Sequence, residues 1–165
     1  MNPLRNNTNT LSPVLPKSIL FLSVLSDFAL VLWAGATWAA GYVFAPALFA
    51  HFPREVAGDA AGQVFMALNV LALACAALIL LDLRVRCAKQ LLHQRELWCV
   101  VGLVFVVLIQ YVGLAPKMAA LKVLLPNAQA EASFAQLHGF SQVLFLLQSG
   151  ALAYLVYQRF ARKSA

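Results

Sequence analysis

Charge is what this sequence has least of. Only 11% of its 165 residues are Asp, Glu, Lys or Arg, against about 25% in a typical soluble domain. With 62% hydrophobic residues and a mean hydropathy of +0.80, that scarcity argues against a water-soluble fold and for several membrane-spanning helices. Cysteine is sparse too. Cys75, Cys87 and Cys99 show no C-x-x-C spacing, so no disulfide framework is implied and free thiols are expected. There is no H-E-x-x-H, no glycine-rich phosphate loop and no pair of carboxylates within an apolar run. The net charge of +6 does not indicate nucleic acid, because the basic residues sit at the ends of apolar runs, where they report membrane topology.

What is present is four long apolar runs. Residues 1–18 are polar and punctuated by Pro3, Pro13 and Pro16, and read as a disordered arm. Ala34-Gly35-Ala36 has the form of a signal-peptidase site, but the apolar run continues unbroken past it, which argues against cleavage. The spans are expected at about 19–49, 61–83, 97–115 and 134–157, followed by a basic tail over 159–165. The first would be roughly 45 Å long, more than a ~30 Å hydrocarbon core requires, so it tilts or projects into water. Asp27 falls in its inner half, either as a cap or as a buried functional carboxylate. Gly35 and the series Thr37, Gly41 and Ala45 form a small-residue ridge for helix packing, and Gly58 and Gly62 continue the pattern on the second span. Pro46 leaves the Tyr42 carbonyl without its helical donor and is expected to kink the helix. Lys117 to Leu125 reads either as an interfacial helix or as an extension of the third span.

The fold class is therefore all-α, an integral membrane four-helix bundle. With four spans, the terminal side carries nine Lys and Arg and the other side three, which is expected to place both termini in the cytoplasm of a bacterial inner membrane. Cys87, Cys99 and His93 then lie at the cytoplasmic side. Topology converts position into depth, and Asn69, Gln110, Tyr42, His138, Ser141 and Gln142 all fall in the outer half. They are the candidates for a polar pocket. Each has a plainer reading: Asn69 and Gln110 as interhelical hydrogen-bond partners, Lys117 as a snorkelling anchor, Gln148 and Ser149 as inner-end glue. His138 is the sharpest candidate, as a metal or haem ligand, a proton carrier or a structural donor. His51 lies on the same side and is a weak second metal candidate; two histidines do not make a site. A Ser141–His138 pair has no third member, so no catalytic residue is assigned.

Leu32-Trp33-Ala34-Gly35, Trp38-Ala39-Ala40-Gly41-Tyr42-Val43-Phe44-Ala45-Pro46, Ala57-Gly58 and Gly62 resemble domain-of-unknown-function family 4149, small bacterial membrane proteins also called transmembrane protein 205-like. The Phe134–Ser141 segment, with Leu137-His138-Gly139 inside it, resembles that family's later motif. The resemblance spans roughly residues 25–150 and implies a four-helix membrane fold without an established activity. More distantly the chain is similar to four-helix copper-resistance and haem-dependent protoporphyrinogen-oxidase membrane proteins, which use membrane histidines. The expected function is a non-enzymatic membrane component, either an accessory or interaction subunit or a small-solute or metal-tolerance protein. It is expected to hold no cofactor, with the bilayer and a second copy or another membrane protein as partners. The alternative is a haem- or metal-binding oxidoreductase centred on His138. A channel would need several copies to enclose a path.

Overall fold

The computed structural model describes residues 16–164, with side chains as far as Ala161. The expected disordered arm lies outside the described residues except for its last three, of which Lys17 and Ser18 already belong to the first helix. Four continuous helices, each long and apolar enough to cross a membrane, make up the fold. They are α1 (Lys17–His51), α2 (Arg54–Arg86), α3 (Arg95–Val123) and α4 (Ala128–Ser164).

Prolines mark the helix starts, because a first-turn N–H has no intrahelical partner to lose. Pro16, Pro53 and Pro126 stand just before α1, α2 and α4. At the start of α4 the Asn127 side chain accepts the backbone N–H of Gln129 at 2.9 Å and of Ala130 at 3.3 Å, an ordinary N-cap. Between α2 and α3 a single 3₁₀ turn, Leu91–His93, tightens the connection.

All four helices outrun the apolar stretches that mark them in the sequence. At 1.5 Å per residue, the 29 residues of α3 span ~43 Å and the 35 of α1 ~52 Å. The segment 117–125 extends the third span, whose helix runs on to Val123. At the other boundary, α4 continues as helix through residues that read as a basic tail.

Proline inside α1 and α3 is absorbed without a break. Ala39–Phe44 and Ile109–Leu114 are π-helical, and each is followed at once by Ala-Pro: Ala45-Pro46 and Ala115-Pro116. The wider turn carries the helix up to the proline. Ala45 N–H donates to the Ala40 carbonyl, and Ala115 N–H donates to that of Gln110, each five residues back. The kink expected at Pro46 is thus a π turn. The same π turn followed by Ala-Pro recurs in α3.

Helices α1 and α3 each lie beside both α2 and α4, giving a square antiparallel bundle. Lys17 and the end of α4 share one end, the hub end; Pro46 and Pro116 lie toward the opposite, proline end. The packed core sits in the hub half. Leu30 and Trp33 of α1, Ala72, Cys75, Ala76 and Ile79 of α2, Val100 and Leu103 of α3, and Leu152 and Leu155 of α4 form one buried cluster. Small residues on α2 leave room for the Trp33 indole, which is completely buried.

Candidate functional site

The most concentrated polar chemistry lies at the hub end, around Arg159. By sequence this residue belongs to a basic tail, yet it is only 7% exposed. Its guanidinium reaches carboxylates from three other helices. Nε lies 3.0 Å from Asp27 Oδ1 of α1, Nη2 2.7 Å from Asp82 Oδ2 of α2, and Nη1 3.1 Å from Glu96 Oε1 of α3. Nη2 also donates to Ser26 Oγ at 2.9 Å. Asp82 is fully buried and draws three more donors: Ser23 Oγ at 2.9 Å, Arg86 Nε at 2.8 Å and Arg86 Nη2. A planar guanidinium suits this role because its donors point in several fixed directions at once.

Such a cluster is costly to desolvate, and at its centre both oxygens of the buried Asp82 carboxylate accept hydrogen bonds. One donor is poorly aimed: Arg159 Nη1 makes no well-oriented hydrogen bond despite its closeness to Glu96. Asp27 therefore takes part in a four-helix ionic knot, and no cap role is needed for it. Sequence reasoning leaves Glu96 and Arg159 outside the third and fourth spans, and it takes Asp82 into the second span without naming a partner for it. The signal is present as Asp82 and Arg86 at i and i+4 after an apolar run, at the same end as Asp27 and Arg159.

A second polar layer lies deeper. Gln110, inside the π segment of α3, donates from Nε2 to Gln148 Oε1 at 3.0 Å, and Ser141 Oγ lies 3.5 Å from Gln110 Oε1. Gln148 and Arg159 are 11 residues apart on α4, which places this layer ~16 Å from the knot along the helix. Gln148 thus joins the candidate pocket residue Gln110, well away from the helix end. Thr37 is buried and donates to the Trp33 carbonyl at 2.8 Å, as a helix-embedded Thr commonly does.

The remaining candidates do not converge with these. His138 is exposed, stacked on Phe134 with ring centroids 5.9 Å apart, and its Nε2 is 3.2 Å from Gln142 Nε2. It is 21 residues from Arg159, about 31 Å, so it sits a full hydrocarbon thickness above the knot. Gln142 is exposed, Asn69 is half-buried, and neither His138 nor Gln142 reaches the Gln110–Gln148 pair. Tyr42 packs edge-on against Phe145, which also meets Phe65.

Of the packing residues, Gly41 alone shows a tight approach. A Cβ there would stand 2.1 Å from the Phe145 ring. Gly35 and Gly62 are exposed, and a methyl group added at either would meet nothing within 4 Å. Gly58 has only the Lys122 ammonium at 3.6 Å. Ala45 is half-buried and Pro46 exposed. Lys122, on the α3 extension, pairs with Asp59 at 2.8 Å.

For metal or haem, the described residues hold no group of three or more His, Cys, Asp or Glu at ligating distances. His51 is exposed at the proline end of α1, and His93 belongs to the opposite end. A surface concavity beside the start of α4 is lined by Leu121, Leu124, Asn127, Gln129, Ala130 and Ser133, and none of the pocket candidates borders it.

Comparison with known proteins adds one positive finding. No curated protein matches the chain, and no solved structure does. A family model described as Domain of unknown function (DUF4149) matches residues 28–125, which takes in most of α1, all of α2 and all of α3 and stops before the Phe134–Ser141 element. That match covers more than half of the chain, which therefore belongs to this family of unknown function.

Proposed function

We propose that this protein is a non-enzymatic, multi-pass component of a bacterial inner membrane, of the transmembrane protein 205-like kind, acting as an accessory or interaction subunit. The observation that carries the reading is the Arg159 knot. It ties one carboxylate from each of the other three helices to a single guanidinium, so the strongest polar groups serve to hold the bundle in one arrangement. Catalytic sites need groups left free to meet a substrate; Arg159, Asp82 and Asp27 are instead paired with one another. The nine-to-three distribution of Lys and Arg supports a cytoplasmic hub end.

A second reading keeps His138 as a metal or haem ligand, which would make the protein an oxidoreductase or a metal-tolerance component. In its favour, the imidazole is exposed and held in one orientation by Phe134 and Gln142. The optical spectrum and metal content of the purified protein separate the two. A colourless, metal-free preparation is expected. A Soret band, or stoichiometric metal, that disappears in His138→Ala overturns the first reading in favour of the second.

A further inference from the structure

The distribution of carboxylates leaves one end of the molecule electrostatically unbalanced. The chain has six acidic side chains. Glu55, Asp59 and Glu131 lie toward the proline end, which also holds Arg54, Lys117 and Lys122, three against three. Asp27, Asp82 and Glu96 lie at the hub end, and all three are bound within the knot by Arg159 and Arg86. Lys17, Arg84, Lys89 and Arg95 are exposed, and none of them pairs with a carboxylate among the described residues. The proline end is therefore neutral, and the whole net charge of +6 belongs to the nine cations and three acids of the terminal side.

Three of these unpaired cations fall at or within the short α2–α3 connection, and that connection also presents apolar surface. Leu92 is 69% and Trp98 61% exposed, and the Trp98 indole N–H donates to the Leu92 carbonyl at 2.9 Å, fixing the two together. Tyr157 is 73% exposed at the same end of α4. Cations beside outward-facing Leu, Trp and Tyr match a lipid interface, where aromatics sit at headgroup level and ammonium or guanidinium groups meet phosphate.

We propose that the α2–α3 connection is a docking surface for anionic phospholipid. Arg84, Lys89 and Arg95 bind the headgroup phosphates, while Leu92 and Trp98 lie against the acyl chains. The surface acts on the lipid phase and not on free phosphate, because its apolar half has no use for a bare ion. Each cation near an anionic membrane surface contributes about fivefold in affinity, so removing three weakens binding roughly a hundredfold.

The test is native mass spectrometry of the full chain in detergent, titrated with phosphatidylglycerol or phosphatidylcholine of equal chain length. The expected result is preferential retention of phosphatidylglycerol, lost in the triple variant Arg84→Gln/Lys89→Gln/Arg95→Gln and unchanged in Lys117→Gln at the proline end. Equal retention of the two lipids, or undiminished preference in the triple variant, overturns the proposal. Should the triple variant fail to fold, the native protein decides the matter through thermal unfolding. Phosphatidylglycerol is expected to raise the melting temperature in low salt and not in 0.5 M salt. A salt-independent shift, or an equal shift from inorganic phosphate, overturns it.

Discussion

At the scale of single residues, Arg159 is the side chain that links all four helices through charge. Truncating it would leave Asp82 buried with one cation fewer, and Asp27 and Glu96 without the guanidinium beside them. Losing one partner of a buried ion pair costs about 3–5 kcal/mol. Arg159→Met is therefore expected to lower the melting temperature in detergent sharply, and Arg159→Lys to restore little of it, because an ammonium cannot spread its donors over three helices. Gly41 offers a second test. Its methyl would meet the Phe145 ring at 2.1 Å, so Gly41→Ala should destabilise by about 1–3 kcal/mol. Gly35→Ala, where nothing lies within 4 Å, should be close to neutral, and Phe145→Leu should rescue Gly41→Ala. Thermal unfolding of these variants side by side checks this. Such differences are invisible in sequence, since the ridge from Gly35 to Ala45 looks uniformly small and only one of its glycines has a ring pressed against it.

At the scale of elements, the two Ala-Pro steps explain how α1 and α3 stay continuous. A proline in a regular helix costs about 3 kcal/mol, through a lost hydrogen bond and a clash four residues back. Here the π turns Ala39–Phe44 and Ile109–Leu114 already accommodate it. Pro46→Ala and Pro116→Ala are thus expected to change stability by less than about 1 kcal/mol, whereas Ala72→Pro, in the regular and buried part of α2, should prevent folding. Circular dichroism and melting curves in detergent distinguish the outcomes. The existence of four helices is legible in the sequence because an uncharged apolar run of about 20 residues is the length that crosses lipid as a helix. Their true ends are not. Glu96 and Arg159 read as boundaries in one dimension, and only the neighbouring helices show that they lie within the bundle and that Arg159 meets both Glu96 and Asp82.

At the scale of the molecule, charge and polarity are arranged in layers: an ionic knot at the hub end, an apolar core above it, and the Gln110–Gln148 pair about 16 Å from the knot. Net positive charge gathers at one end, which predicts orientation. Reporter fusions at the C-terminus should be active with a cytoplasmic reporter and silent with a periplasmic one, and the reverse result would invert the topology.

Composition and the spacing of apolar runs determined by themselves that this is a four-span helical membrane protein with a strongly basic terminal side. Both follow from local rules, the length of a helix that crosses lipid and the placement of cations at its ends. Which polar residues meet was decided only by tertiary structure. Depth counted along the apolar runs groups His138 with Asn69 and Gln110, because those runs are shorter than the helices that contain them. In the folded bundle, antiparallel packing sets Gln110 against Gln148, leaves His138 on the outside, and brings Asp27, Asp82 and Glu96 to Arg159. The physical reason is that a charge inside a membrane must find its opposite, and no single helix carries enough of them.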